Sequence, residues 1–358
     1  MRRPGNQYTD RKPAWWRRAL AVGLVTLGVG TALTPAQPPA TASEAACTEL
    51  DIELTVALLL PATMHGRLCV PAEPTNTVQL LIPGGTFNST YWDPPAVPGV
   101  RSFRGAMNEA GYATLTVDRL GTGRSTVPLG VTLTAIQQAE LMHRVVQRLR
   151  AGAFGPRFDK VIIGGHSLGA AISLIEAATF RDVDGVLLTG LAHRIDPVNV
   201  ATAFATFYPA MLDPKFGGDI VDPLYLTTQP NTREESFHRP GRADPDAVAL
   251  DEATKDVFSV TEAADGIGVA YVTPYSLLVD VPVLLALGGH DPLLCSPLAI
   301  DCTSAETVYR AEAPYFSPAA RLRTYVLPGD YGHAFNYAPN ADHFHAEVVD
   351  WAGATIGR

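Results

Sequence analysis

Residues 160–174, KVIIGGHSLGAAISL, constrain this chain more than any other stretch. An apolar run rich in Val and Ile meets two glycines, then a lone serine, then a glycine and an alanine-rich run, the pattern of a strand turning sharply into a helix. Ser167 has Gly165 and Gly169 two positions away on either side. That spacing suits a turn which holds a hydroxyl in a strained, exposed corner where only small neighbours fit. The plainer alternative is a helix-capping serine in a glycine-rich turn.

The rest of the chain supplies a setting for such a turn. DIELTVALL and HGRLCVP read as an opening pair of strands, and TVQLLI, YATLTV, KVIIGG, DGVLLTG, VPVLLALGG and LRTYVLPG as further strands. Between them lie helical stretches at about 100–110, 133–151 and 168–180, with a last one near 341–354. Buried strands alternating with helices predict an α/β fold with a mainly parallel sheet covered on both faces. Residues 193–278 break the rhythm. They are rich in Pro, Asp and Thr, show helical pieces without a clear strand, and are too long for a connection, so they are expected to form an inserted helical cap over the sheet edge.

Residues 1–42 read as an address. Six basic residues precede a short apolar run, ALAVGLVTLGVGTAL, and small residues follow, which predicts a signal peptide cut near Ala42 and a catalytic domain over 43–358. About 15 apolar residues fall short of the roughly 20 that span a bilayer, which disfavours an uncleaved anchor. Arg17 and Arg18 allow a twin-arginine route beside the general one. The whole chain has 27 basic and 36 acidic residues; without Asp10 and the six basic residues of the leader, 21 and 35 remain, a net of −14. Such a surface argues against nucleic acid or an anionic membrane as the main partner. In an exported chain, four cysteines favour two disulfides. Of three connectivities the local pairs Cys47–Cys69 and Cys295–Cys302 are preferred, with buried free thiols as the alternative. No cysteine or histidine spacing suggests zinc.

A reactive serine needs a base, a carboxylate to orient it, and amide donors for a developing oxyanion. His333, in LPGDYGHAFN just past the final strand, sits on a glycine-flanked loop that can carry an imidazole across the strand ends. His166 is expected to point away from the pocket, and His343 and His345 to lie on a solvated helix face; His193 and His290 are polar loop residues or substrate contacts. Asp291, directly after a buried strand, is the expected carboxylate. Asp330 lies too near His333 in the chain to reach its ring from behind. The glycines of LLIPGGTFNSTYWD can turn amides toward an acyl oxygen, so Gly85 or Thr86, with Leu168, is expected to form the oxyanion hole.

Taken together, GHSLG, PGGT, DRLGTGRS, GHD and YGH, with the order Ser, Asp, His, resemble the α/β-hydrolase superfamily over nearly all of the chain after the leader. The resemblance implies an eight-stranded, mostly parallel sheet with the site at the carboxyl ends of the strands. It also implies that Asp118, Gly121, Gly123 and Ser125 shape the pocket rim as structural residues. Pro83 departs from the histidine that many relatives carry there.

The expected activity is that of a secreted serine hydrolase acting on a small carboxylic ester or lactone, with Ser167, Asp291 and His333 as triad and no metal or organic cofactor. Ester over amide is a family base rate. A peptidase, thioesterase, acyltransferase or metal-free haloperoxidase-like enzyme would use the same triad, and a non-catalytic binder could keep the same fold.

Overall fold

The computed structural model describes residues 45–56, 60–271 and 275–358. The expected signal peptide, residues 1–42, lies outside the described residues. In chain order the strands are β1 (Ala46–Val56), β2 (Leu60–Val70), β3 (Thr77–Ile82), β4 (Ala113–Val117), β5 (Lys160–His166), β6 (Gly185–Thr189), β7 (Phe207–Pro209), β8 (Tyr225–Thr228), β9 (Phe258–Ser259), β10 (Val283–Gly288) and β11 (Arg323–Leu327). The helices are α1 (Phe103–Glu109), α2 (Ala135–Ala151), α3 (Leu168–Phe180), α4 (Pro197–Ala205), α5 (Arg233–Phe237), α6 (Pro245–Thr254), α7 (Val260–Tyr271), α8 (Ala305–Glu312) and α9 (Ala341–Thr355).

Eight strands form one sheet in the order β1-β2-β4-β3-β5-β6-β10-β11. Only β1 and β2 run antiparallel to their neighbours; β4, β3, β5, β6, β10 and β11 are mutually parallel. The alternation of side chains along each strand sends neighbours to opposite faces, so strands covered on both faces are mostly apolar, with Gln79, Thr114 and Thr116 among the buried polar exceptions. Val78, Leu80 and Ile82 of β3 enter one core with Leu141 of α2 and Ile172 of α3, while Leu81 enters the other with Phe103 of α1 and Trp351 of α9.

Cys47 and Cys69 face each other directly across the β1–β2 ladder and are disulfide-bonded. Cys295 and Cys302 form the second disulfide, closing the loop that follows β10. Capping explains the limits of the central helix α2: the Thr134 hydroxyl accepts from the Gln137 N–H at 3.1 Å, and Gly152 ends it with φ +72°.

Between β6 and β10 the expected helical pieces are present, but the expectation of no clear strand is corrected. The segment holds α4, α5, α6 and α7 but also a three-stranded antiparallel sheet, β7-β8-β9. These strands are two to four residues long. They are too short for an alternating hydrophobic pattern to register.

Candidate active site

The chemistry-bearing residues lie where the parallel strands end. Ser167 follows β5 directly and has φ +53°, ψ −117°, a left-handed conformation that costs a non-glycine residue about 1–3 kcal/mol. The flanking glycines hold it there. A Cβ at Gly165 would lie 2.0 Å from the Gly169 carbonyl oxygen, and one at Gly169 would lie 2.4 Å from the Ile82 carbonyl oxygen. The backbones are therefore packed too closely for any side chain. The Ser167 N–H donates to Thr189 O at 2.8 Å, which fastens the turn to β6.

Asp291, three residues past β10, is fully buried. Its Oδ2 lies 2.6 Å from His333 Nδ1, and its Oδ1 accepts from the Leu293 N–H at 2.9 Å. His333 is 1% exposed, and its loop is held where the Ala334 N–H donates to Phe237 O at 2.8 Å. His333 Nε2 has no hydrogen-bond partner among the described residues. Ser167 and His333 line the same cavity of about 120 Å³. No hydrogen bond joins their side chains.

The cavity is apolar, walled by Leu168 and Leu191 from the sheet side and by Val200, Phe204, Phe237 and Phe258 from the β6–β10 segment. Gly85 and Leu168 are on its wall; Thr86 is not. Thr86 is buried with φ +61°, and its hydroxyl accepts from Arg233 Nη1 at 2.9 Å. Of the two candidates for the second amide donor, Gly85 is the one that reaches the cavity.

Two buried arginines clamp this loop. Arg119, after β4, donates to Pro83 O at 3.1 Å and Gly84 O at 2.9 Å, and pairs with Glu262 of α7. Arg233 of α5 holds Thr86 and, at 2.7 Å, Asp251 of α6. Burial alone would raise the Asp251 carboxyl, but Arg233 and His238 hold it below the ordinary range. Sequence reasoning missed both arginines. Arg119 is the second residue of the DRLGTGRS turn, which was the available signal; that turn is not on the cavity wall and is held by Asp118, whose Oδ1 and Oδ2 accept from the Ser89 and Arg124 N–H groups at 2.9 Å.

Other histidines find plain roles. His166 is buried behind His333, with ring centroids 4.7 Å apart, and is stacked on Tyr91 at 4.1 Å. Burial, and then the charge His333 would carry, holds His166 well below the usual imidazole range. His193 is not on the cavity wall; it is pinned between Glu312 and Ser276. His290 is half exposed and pairs with Asp330 at 3.2 Å. His345 corrects the expected solvated face: it is buried and donates from Nε2 to Asn336 Oδ1 at 2.9 Å, whereas His343 is exposed.

Residues 79–351 match the sequence model of the Alpha/beta hydrolase family. The chain belongs to that family. Solved structures similar to this α/β hydrolase include a thermophilic esterase from Thermogutta terrifontis, 16% identical, TM-score 0.59, covering 85% of this chain and 98% of that one. An enol-lactonase from Burkholderia xenovorans LB400 is 21% identical with TM-score 0.54, covering 84% and 99%. A carboxyl esterase from Bacillus coagulans is 16% identical with TM-score 0.58, covering 87% and 99%. At such identities the likeness is one of fold. No protein of curated function matches the hydrolase significantly in sequence.

Proposed function

We propose that this α/β hydrolase is a secreted serine hydrolase that cleaves a small carboxylic ester or lactone through an acyl-serine. The observation that carries the reading is the 2.6 Å contact of His333 Nδ1 with Asp291, which leaves Nε2 unpaired on the cavity that Ser167 also lines. Asp291 fixes the tautomer with its proton on Nδ1, so Nε2 is the basic atom. His333 takes the Ser167 proton as Oγ attacks the carbonyl carbon; their hydrogen bond forms as substrate binds, as catalytic hydrogen bonds often tighten only then. The amides of Leu168 and Gly85 receive the oxyanion, each worth about 100- to 1000-fold in rate. His333 returns the proton to the departing alkoxide, then activates a water that releases the acid and restores Ser167.

The apolar cavity favours a short acyl group without charge. The esterase and lactonase structures that share the fold support ester over amide scission. Two disulfides suit an oxidising compartment, and no helix among the described residues is long and apolar enough to cross a membrane. Residues 193–278 act as the cap that closes the cavity. A fluorophosphonate probe should label the wild type, and Ser167→Ala should abolish the label. Labelling that survives this substitution overturns the assignment.

A further inference from the structure

Where α2 packs against α3, away from the cavity, the side chains of His143, Glu176 and Asp182 converge, each offering an atom within 4.8 Å of the others. Glu176 is the anomaly of the group. It is fully buried, and neither of its oxygens has a hydrogen-bond partner among the described residues. Asp182 Oδ1 is likewise unpartnered, while its Oδ2 lies 2.8 Å from His143 Nδ1 and accepts from Gln147 Nε2. Arg150, the cation that acts on Glu176, donates to the Asp159 and Asp182 carbonyls and to Asp184, not to Glu176. A carboxylate stripped of water without a partner is costly, so something must meet it: a metal ion or a proton.

We propose that His143, Glu176 and Asp182 form a zinc-binding site that ties α2 to the end of α3. One imidazole nitrogen and two carboxylate oxygens are donors that zinc takes at about 2.0–2.2 Å. Donors around a tetrahedral ion at that distance stand roughly 3.4 Å apart, so rotations of the two carboxylates and a closure of about 1.4 Å or less suffice. Stacking of His143 on Phe180, centroids 4.0 Å apart, restrains the ring. The side chains of His143 and Asp182 remain 28% and 16% exposed, which leaves a path for the ion and a place for a water as fourth ligand. The site does not touch the cavity; its effect is on α3, the helix that follows Ser167. The competing occupant is a proton: without a cation, burial and then the neighbouring Asp182 push Glu176 up to about 10.

The test uses the full chain, stripped with a chelator and titrated with Zn²⁺ by calorimetry, with Co²⁺ absorption as a spectroscopic probe. One equivalent of zinc should bind, a hundredfold excess over Kd should raise Tm by roughly 5 °C, and Co²⁺ should show visible ligand-field bands. Glu176→Gln and His143→Phe should each weaken binding at least about tenfold. His333→Ala should leave it intact, which separates this site from the histidine on the cavity. Should Glu176→Gln not fold, His143→Phe, at a partly exposed position, carries the test. No binding at about 1 mM free zinc, binding that survives both substitutions, or binding lost with His333→Ala would overturn the proposal and leave Glu176 a protonated acid.

Discussion

Among the described residues, two serine–histidine–carboxylate constellations have the same imidazole–carboxylate spacing. His333 Nδ1 lies 2.6 Å from Asp291, and His193 Nδ1 lies 2.6 Å from Glu312. In the second, Nε2 is even within 2.8 Å of a serine hydroxyl, Ser276. By distances alone the second is the more complete triad. It lacks what surrounds the first. Ser276 is 1% exposed in the short 3₁₀ turn Tyr275–Leu278 and is not on the wall of the cavity, whereas Ser167 sits at positive φ on that wall, beside the backbone of Gly85 and Leu168. The His193 set is a buried strut between the Tyr275–Leu278 turn and α8, with its ring stacked on Tyr315 at 4.4 Å. On the proposed function, access and oxyanion donors, not imidazole spacing, separate a reactive serine from a structural one.

Paired substitutions can break that contrast. Ser167→Ala should lower turnover of a p-nitrophenyl ester by about a millionfold, while Ser276→Ala should leave kcat unchanged and cost about 1–3 kcal/mol of stability for the unpaired His193 nitrogen. A Ser276→Ala enzyme that lost fluorophosphonate labelling would reverse the two roles. Next in size is the carboxylate pair. Asp291→Asn should depress kcat roughly 10⁴-fold by favouring the wrong tautomer, whereas Glu312→Gln should lower the unfolding midpoint and spare turnover. Near-normal kcat in Asp291→Asn would move the orienting role to another carboxylate.

A third substitution probes why the first constellation has its donors in place. Arg233→Met removes the grip on Thr86 and leaves Asp251 buried with His238 alone at 2.9 Å. We expect kcat to fall about 100-fold through a displaced oxyanion loop, with KM changing little, and stability to fall by about 3–5 kcal/mol. Arg233→Lys cannot fork between Thr86 and Asp251 and should rescue only in part. Loss of stability with kcat intact would show that the clamp serves folding alone.

What the sequence made legible follows from how local each signal is. Ser167, Asp291 and His333 each follow a strand within six residues and lie near glycine, so three short windows suffice to nominate them, and the same windows locate β5, β10 and β11. The partners of His193 could not be read this way, since Glu312 lies 119 residues on. The buried arginines were hidden by the ordinary expectation that arginine faces water. The small β7-β8-β9 sheet escaped because strands of two to four residues hold at most two repeats of the two-residue alternation that would betray them. His345 was misplaced because α9 shows the core more than one stripe: Phe344, His345 and Val348 are all buried.

His345 supplies the smallest and most selective test of the contrast between reactive and structural histidines. Burial holds its pKa down to about 4, against an ordinary 6.5. The unfolded chain therefore binds a proton near pH 6.5 that the folded chain refuses until about pH 4. The folded-state contribution is fully present above 6.5 and is lost as the pH falls from there to 4, on the order of 3 kcal/mol in all. His166, also held low by burial, adds to the same acid side. His345→Gln keeps a donor for Asn336 but cannot titrate, so the fall in stability between pH 6.5 and 4 should become shallower than in the wild type while kcat at neutral pH stays as it was. Chemical denaturation at a series of pH values reads the difference directly. An unchanged slope would mean that His345 is reached by water in the folded chain, and a changed kcat would mean that the path from His345 through Asn336 to Tyr91, bonded at 2.9 and 2.6 Å and stacked on His166, conveys packing to His333 after all.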